Sequence, residues 1–414
     1  SRHPVNRFQR IDDHFPAVRT TRPPVPDSPV NALEWRATGG LAAIYAARML
    51  GLFMILPVFA LYAQDLPTAT PFQVGLALGI YGLTQALLQI PFGMASDRVG
   101  RKPMIVFGLL VFAAGSALAA VADNIHWIIA GRALQGAGAI AAVTNALLAD
   151  LTRERQRTTA MLVLGIGIGA SFTLALMLGP VLDRWIGVPG IFGLTVLLAL
   201  ACIPLVIWVV PPAPATRAAH AGILRDIRRV VADGQLLRLD AGIFILHAIL
   251  TALFVVVPVT LADDLGVAKG HHWMIYLPVM LGSLALTMPL MRLAEGRGHT
   301  RAVFLGAVSL LAIAAAALIW GQGSVAGMVA ALLAFFGAFN LLEATLPSLV
   351  SRVCDTSVRG AGLGVYSASQ FFGAFVGGAA GGLTFQYLGA TGVFGGSALL
   401  AVIWLIVAWG LRPP

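Results

Sequence analysis

The chain has 414 residues, of which 58% are hydrophobic and only 11% are charged, with a formal net charge of +9. Soluble domains carry about 25% charged residues, and a soluble core of this length cannot cover so much apolar surface. The composition therefore excludes a soluble enzyme or binding protein and indicates a membrane protein.

Apolar runs long enough to cross a bilayer recur along the chain. A helical crossing needs about 20 residues, and these runs are too long and too rich in Ala and Leu for alternating barrel strands. Backbone groups in lipid need internal partners, which favours helices. The sequence predicts an all-α membrane protein with twelve spans, numbered in chain order: 38–63, 71–94, 103–122, 125–149, 157–182, 188–210, 238–262, 272–292, 301–320, 325–350, 361–386 and 389–411.

Basic residues are concentrated on one side of this topology. Of the 27 Lys and Arg, 23 lie before span 1, after span 12, in loops that follow even-numbered spans, or at the span ends that border those loops. This asymmetry predicts that both termini are cytoplasmic, in a bacterial inner membrane. The short loops offer no continuous basic face, so nucleic acid is not a predicted partner.

The chain divides into a tail, two bundles and a linker. Residues 1–35 contain six prolines and no apolar period, which predicts a disordered cytoplasmic tail. Residues 36–210 are predicted to form an N-terminal six-helix bundle, and 238–414 a C-terminal one. The cytoplasmic linker, 211–237, contains ILRDIRRVVADG, whose apolar residues recur at helical spacing against arginines. This pattern predicts an amphipathic helix on the membrane surface.

The two bundles have the pattern of a duplication. PFGMASDRVGRKPMIVFG at 91–108 aligns with PLMRLAEGRGHTRAVFLG at 289–306 at a constant offset, and ILPVFALYAQDL in span 1 is echoed by VVPVTLADDL in span 7. A parallel repeat of six plus six helices is a transporter architecture, with the substrate site between the halves. We therefore expect two pseudo-symmetric six-helix bundles.

Two stretches carry a resemblance to a known family. GMASDRVGRKP at 93–103 resembles the signature between helices 2 and 3 of the major facilitator superfamily. GRALQGAGAIAAVTNALLADLTRERQRT at 131–158 resembles the fourth-helix signature of that family's proton-linked antiporters. FNLLEATLPSL and GVYSASQFFG extend this resemblance. Together, these stretches make residues 36–412, roughly, resemble the bacterial YajR-type members of the family. Such members can carry a small soluble domain after the last helix, which the sequence ending at Pro414 lacks.

The charges at the end of span 2 predict a conformational latch. Asp97 is expected to approach the N-terminus of span 11, where an anion is stabilised by about 0.3–1 kcal/mol. Arg101 is expected to reach Asp150 at the end of span 4. The latch stabilises the outward-facing state, as the resemblance also implies. Positive-inside topology alone explains Arg98 and Lys102, but not Asp97. The predicted members are Gly93, Asp97, Arg98, Gly100, Arg101, Lys102 and Asp150.

Titratable residues inside the spans predict a proton pathway. Glu343 is the one acidic residue well inside a span, and ionisable groups in lipid tend to mark pathways. Glu343 is therefore the first predicted proton carrier and His247 the second. The resemblance implies that spans 1, 4, 7 and 10 line the cavity. Two further residues on these spans therefore join the predicted pathway. Arg132 is predicted to take part in proton coupling, and Arg48 to bind substrate or tune Glu343. A static ion pair for Glu343 and a hydrogen-bonded core histidine are the alternatives.

Polar side chains complete the predicted pathway. Tyr81, Gln85 and Gln89 form one edge of span 2, which suits either the cavity wall or hydrogen bonding between helices. The remaining cavity is expected to be apolar, which suits a bulky amphipathic substrate. The other predicted members are Gln135, Asn145, Asn340, Tyr366 and Gln370.

The sequence offers no nucleotide-binding loop or catalytic set, so we predict no enzymatic activity and no cofactor, with a proton gradient as energy source. KGHHWM at 269–274 contains possible metal ligands, but the methionines are too irregular for a metal path. The predicted function is a monomeric secondary transporter in the lipid bilayer, which exports small amphipathic or drug-like compounds in exchange for protons. Proton-coupled uptake of a nutrient or metal is one alternative, and a transport-inactive sensor or scaffold is the other.

Overall fold

The computed structural model describes residues 31–212, 222–296, 300–355 and 357–411. Residues 1–30 of the predicted tail and residues 213–221 of the linker lie outside these ranges. Within the described ranges the chain is helical and contains no β-strand. Ten helices are long and apolar enough to cross a membrane.

Two of these ten helices are too long for one crossing. Each has 51 residues, which at about 1.5 Å per residue is roughly 77 Å, more than twice the ~30 Å hydrocarbon core. One reverses at Gly187 (φ 65°) and the other at Gly389 (φ 66°), in the left-handed conformation that favours glycine. Counting each as two crossings gives the twelve predicted spans.

Contacts with span 1 demonstrate the first reversal. Ser171 donates a hydrogen bond to the carbonyl of Ala46 before the turn, and Cys202 donates to the carbonyl of Ile44 after it. Residues on both sides of Gly187 therefore lie beside the same part of span 1, as in a helical hairpin.

The predicted all-α fold is confirmed, the twelve predicted crossings are consistent with it, and the structure gives the bounds. The spans are Ala32–Phe53 with Leu56–Gln64 (span 1), Pro71–Val99 (span 2), Arg101–Ala120 (span 3), Ile125–Ala137 with Ala141–Leu151 (span 4), Glu154–Pro204 with Leu205–Val209 (spans 5 and 6), Gly234–Val259 with Thr260–Asp264 (span 7), Lys269–His271 with Trp273–Gly296 (span 8), Thr300–Gly321 (span 9), Val325–Val353 (span 10) and Arg359–Trp409 (spans 11 and 12).

The linker contains a helix, Ile223–Ala232, where the sequence predicts an amphipathic one. Its Val230 is buried against the C-terminal bundle, whereas Leu224 is exposed. We call the membrane side that holds Gly100, the linker helix and most basic loops the basic side. The side that holds Gly187 and Gly389 is the opposite side.

Span 1 begins at Ala32, inside the predicted tail, because Asn31 and Glu34 form a reciprocal capping box. The buried Glu34 carboxylate also accepts hydrogen bonds from the backbone N–H of Arg153 at 3.0 Å and from its Nη2 at 2.8 Å. This carboxylate raises the pKa of the Arg153 guanidinium. The start of span 1 is thus fixed to the loop between spans 4 and 5.

Spans 2 and 11 form a glycine seam between the two halves of the chain. A methyl group on Gly79 would lie 2.7 Å from the carbonyl oxygen of Phe375, and one on Gly378 would overlap the carbonyl oxygen of Gly75. The backbones therefore touch, as small residues allow in membrane helices. The seam lies in the part of both spans nearest the opposite side.

Polar contacts between the halves extend this closure. Gln64 at the end of span 1 donates to Asp263 at the end of span 7, 3.3 Å away. Lys269 at the start of span 8 lies 3.7 Å from the Asp183 carboxylate of span 5. Nearer the basic side, Gly93 has Ala142 of its own half as its nearest neighbour. The described structure is closed on the opposite side.

Candidate functional site

The C-terminal half brings Glu343, His247 and Gln370 together in the membrane interior. Gln370 Nε2 donates to Glu343 Oε1 at 3.1 Å and lies 2.9 Å from His247 Nε2. His247 Nε2 and Glu343 Oε2 are 3.8 Å apart. These residues come from spans 10, 7 and 11, so the site is an inter-helical cluster of a carboxylate, an imidazole and an amide.

The hydrogen bonds assign a neutral tautomer to His247. The amide nitrogen of Gln370 can only donate, so His247 Nε2 accepts, and Nδ1 carries the proton toward the carbonyl of Ile243 at 3.3 Å. The Glu343 side chain is 38% exposed, whereas its Oε2 atom is buried and accepts no hydrogen bond. Protonation of His247 would convert the 3.8 Å approach into an ion pair.

Aromatic rings surround this cluster and join the two halves. The Phe339 ring lies 5.8 Å from the His247 ring, and it stacks on Phe172 of span 5 at 6.2 Å. Phe172 also contacts Phe53 of span 1 and Phe254 of span 7. The predicted apolar surroundings of Glu343 are therefore present as a phenylalanine cluster between spans 1, 5, 7 and 10.

The N-terminal half has a separate polar cluster around Arg48. Its Nη2 donates to the carbonyl of Gly138 at 2.9 Å and to Gln85 Oε1 at 3.1 Å, and the guanidinium lies 4.9 Å from the centre of the Phe112 ring. Gly138 lies at the break between the two helices of span 4, where a carbonyl is left without a helical partner. Arg48 thus caps that break. Its Nε and Nη1 have no hydrogen-bond partner.

Arg132 differs from Arg48 because all of its guanidinium nitrogens are bonded. They donate to the carbonyls of Ala77 and Leu78 on span 2, at 3.2 and 3.3 Å, and to Gln135 Oε1 at 2.7 Å. Gln135 in turn donates to Ser116 of span 3 at 2.7 Å. This network links spans 2, 3 and 4.

The prediction that Arg48 binds substrate or tunes Glu343 stays a prediction, and in this structure the two residues have different partners. Arg48 and Arg132 are fully buried and bind groups of the N-terminal bundle, because the broken span 4 and the span 2 carbonyls offer acceptors there. Glu343 binds partners in the C-terminal half. The four residues predicted to share one cavity form two clusters.

The polar edge of span 2 is buried rather than exposed to an open cavity. The Tyr81 hydroxyl donates to Gln85, and Gln85 accepts from Arg48. Gln89 donates to the carbonyl of Gly364 and accepts from Ser367, both at 3.3 Å. Helix packing accounts for this edge, and Gln89 connects the two halves.

The remaining predicted pathway residues lie in different environments. Asn340 donates to Ser283 at 3.0 Å, Asn145 is exposed, and the buried Tyr366 hydroxyl has no hydrogen-bond partner. Within the described ranges, no three His, Cys, Asp or Glu side chains gather as a metal site.

Arg101 is the centre of the charges on the basic side. Its Nη1 lies 2.6 Å from Asp97 Oδ1 and its Nε lies 3.2 Å from Asp150 Oδ2. Arg98 is exposed, and Lys102 donates to the carbonyls of Ile207 and Val210. Asp97 binds Arg101 instead of the start of span 11, because spans 2 and 11 are closed at their other ends in this structure.

The comparison with known proteins decides the family. The model of the Major Facilitator Superfamily matches residues 41–241 and 239–414. The chain belongs to the Major Facilitator Superfamily. It is a multi-pass membrane transporter, and its class is not enzymatic.

Relatives in this superfamily cover most of the chain. The inner membrane transport protein YajR of Escherichia coli (strain K12) is 44% identical over 92% of this chain and 84% of its own length. The multidrug resistance protein MdtH of Cronobacter sakazakii is 25% identical over 82% of this chain and 84% of its own. The crystal structure of the human organic anion transporter MFSD10 has a TM-score of 0.67 at 16% identity and covers 91% of this chain and 100% of its own.

One interior carboxyl of this superfamily member was not expected from its sequence. Asp240 in span 7 is buried, and neither of its carboxylate oxygens has a hydrogen-bond partner. Asp240 is therefore a second buried acidic residue within a span, beside the predicted Glu343. Asp240 lies near the edge of its apolar run, where hydropathy does not distinguish interior from surface. Its spacing of seven residues from His247, two helical turns, is the signal that was available.

Proposed function

We propose that this transporter is a proton-coupled antiporter that exports small amphipathic compounds across a bacterial inner membrane, with the basic side in the cytoplasm. The basic loops support this orientation through the positive-inside rule. With that orientation, the closed seam lies on the periplasmic side.

The observation that carries the proposal is the Glu343 carboxylate, on a partly exposed side chain, beside His247 and Gln370. A carboxylate inside a membrane domain is costly unless it has a function or a partner. Gln370 supplies one neutral donor, and the imidazole supplies a second titratable group. Competition between a proton and a substrate for this carboxylate is a sufficient basis for antiport, because each can bind only when the other has left.

The phenylalanine cluster supports the proposed substrate class. Phe172, Phe336 and Phe339 are buried and pack on one another beside His247, whose Nε2 lies 3.8 Å from Glu343 Oε2. Apolar walls with few polar groups suit an amphipathic molecule, in particular one with a cationic group. A relative that is a multidrug resistance protein is consistent with this class.

The first experiment measures coupling in proteoliposomes. A pH gradient is imposed, a panel that includes tetraphenylphosphonium, cationic dyes and divalent metals is added, and internal pH is followed for wild type and Glu343→Gln. We expect at least one lipophilic cation to move protons in wild type, and the variant to lose this by about a hundredfold or more, as when a positioned proton-transfer group is removed. Glu154→Gln, at an exposed position, is the matched control.

The same assay discriminates the alternatives. Equal proton movement in wild type and Glu343→Gln would assign Glu343 a structural role and contradict the proposal. Proton movement in the direction of the solute would indicate uptake. Counterflow of any solute would eliminate the sensor or scaffold.

The latch provides a second prediction. Asp97→Asn should reduce the population of the outward-facing state, in which Asp97 can approach the N-terminus of span 11. The expected change is about two- to fivefold, since such a contact contributes about 0.3–1 kcal/mol. Spin labels on cysteines at Val121 and Gly323, in loops of the opposite side, would report it as a larger share of short distances. An unchanged distribution, equal to that of the exposed control Asp65→Asn, would remove Asp97 from the latch.

A further inference from the structure

An open groove between spans 3 and 6, which we call the span 3–6 groove, has no part in the proposed antiport cycle. Its volume is about 420 Å³, and it is lined by Lys102, Pro103, Val106, Phe107, Leu110 and Ile207. Phe107, Leu110 and Ile207 are about half exposed. Span 3 packs against spans 2 and 4 and the span 5–6 hairpin of its own half. The exposed apolar walls of the groove therefore lie on the outside of the N-terminal bundle, where lipid surrounds it.

The length of the groove matches one leaflet of a bilayer. Leu110 follows Lys102 by eight residues, which is about 12 Å along span 3. Half of the hydrocarbon core of a bilayer is about 15 Å. Positions 103, 106, 107 and 110 have the spacing of a single helix face. The groove thus extends from the basic side toward the middle of the membrane, as an acyl chain of that leaflet does.

Two cations converge at the basic end of the groove. Lys102 Nζ donates to two of the carbonyls of residues 207–210, and Arg36 Nη2 donates to the other two, both at 3.4 Å. Span 6 ends at these carbonyls, because Pro211 and Pro212 follow and have no N–H with which to continue a helix. The end of span 6 therefore fixes both cations beside the groove.

The positive charge at this end exceeds what the protein balances. A helix C-terminus supplies only about half a negative charge, and in the described ranges neither Lys102 nor Arg36 forms an ion pair with a carboxylate. Both keep further N–H donors, since an ammonium has three and a guanidinium five. Trp208 beside them is 73% exposed, as tryptophans at a membrane–water interface are. The groove thus combines an anion-binding end with apolar walls.

We propose that the span 3–6 groove binds an anionic phospholipid of the leaflet on the basic side. Lys102 and Arg36 bind its phosphate, and Val106, Phe107 and Leu110 contact an acyl chain. Basic pockets between membrane helices recognise acidic lipid headgroups through the same combination of charge and position. The site lies outside the bundle and away from Glu343 and its partners, so it does not depend on the proposed antiport.

Native mass spectrometry of the purified full chain tests the headgroup contact. Dioleoylphosphatidylglycerol and dioleoylphosphatidylcholine, which have the same chains but different headgroup charge, are titrated onto wild type, Arg36→Gln, Lys102→Gln and the double variant. Wild type should bind one phosphatidylglycerol at least about tenfold more tightly than phosphatidylcholine. Glutamine keeps a donor for the span 6 carbonyls but removes the charge, so affinity for phosphatidylglycerol should fall about fivefold per cation and about thirtyfold in the double variant.

Matched controls separate this site from general contact with lipid. Arg157 is an exposed cation of the basic side that also donates to a helix-end carbonyl, that of Ala149 at 3.1 Å, so Arg157→Gln should leave the affinity unchanged. Val106→Trp fills the groove without altering charge and should weaken phosphatidylglycerol binding about tenfold, as when roughly two CH₂ groups lose their burial. Ile313→Trp, at a 66% exposed position of span 9, should not weaken it.

Two results would overturn the site: equal affinity of wild type for the two lipids, or an unchanged affinity for phosphatidylglycerol in the double variant. A loss in the double variant without a loss in Val106→Trp would place the lipid at the cations but outside the groove, and would overturn the groove as the site. Melting temperatures of all variants report their folding. If Lys102→Gln folds poorly, Arg36→Gln and Val106→Trp still decide the question, because Arg36 is exposed and Val106 is partly exposed.

Discussion

Alanine at Gly377 should destabilise the fold, whereas alanine at the adjacent Gly378 should leave the fold intact and open the periplasmic side. The two glycines are neighbours in span 11 but face different helices. A methyl group on Gly377 would lie 2.5 Å from the carbonyl carbon of Ala248 in span 7. A methyl group on Gly378 would lie 2.9 Å from the backbone nitrogen of Gly79 in span 2.

The difference follows from which helices can separate. Spans 7 and 11 belong to the same bundle, so the overlap at Gly377 has to be absorbed by a strained core, at about 1–3 kcal/mol. Spans 2 and 11 belong to different halves, which alternating access requires to move apart. The overlap at Gly378 is relieved by that motion, and the same 1–3 kcal/mol becomes a population shift of about 5- to 150-fold.

Two measurements check this prediction. The apparent melting temperature in detergent should fall for Gly377→Ala and stay near the wild-type value for Gly378→Ala. Spin-label distances between Val121→Cys and Gly323→Cys should lengthen for Gly378→Ala alone. Gly396→Ala, which has open space around the added methyl group, controls for the higher helix propensity of alanine. Equal melting temperatures and equal spin-label distances for Gly377→Ala and Gly378→Ala would show that the halves do not separate at this seam.

The spans were predictable because their cause is local. A run of about 20 apolar residues in lipid has to form a helix, and a break such as that at Gly187 falls where the apolar run is interrupted. The Arg101–Asp150 pair was also predictable from the sequence, since the ends of spans 2 and 4 lie on the same side of the membrane. These features depend on chain order and hydropathy, which the sequence contains directly.

The partners of the buried charges were not predictable in the same way. The acceptor of Arg48 is the backbone carbonyl of Gly138, which Arg48 can reach only because span 4 breaks there. Neither residue type nor spacing predicts that break. The partner of Asp97 depends on which of two conformations is described, and one sequence encodes both. The unpaired Asp240 needed the packing of spans 7, 10 and 11 to be recognised as buried.

The two buried arginines of the N-terminal half should respond in opposite ways to the same substitution. Arg132→Met removes a guanidinium whose nitrogens all donate hydrogen bonds. Arg48→Met removes one whose Nη2 donates two hydrogen bonds but whose Nε and Nη1 have no acceptor. A hydrogen bond from a charged donor contributes about 1.5–3 kcal/mol, and a buried donor without an acceptor costs about 1–3 kcal/mol. We expect Arg132→Met to be less stable than Arg48→Met by at least about 2 kcal/mol.

Arg48→Met should therefore melt at or above the wild-type temperature, while Arg132→Met melts well below it. The measurement is the apparent melting temperature of both variants in the same detergent, with Arg48→Lys as a control that keeps the charge. The proton-movement assay on the same variants tests the second part of the prediction, which concerns transport. Natural proteins retain an unsatisfied buried charge where function requires it, so Arg48→Met should lose coupled proton movement despite its stability. A stable and fully active Arg48→Met would instead show that Arg48 only caps the break in span 4, and would remove it from the pathway.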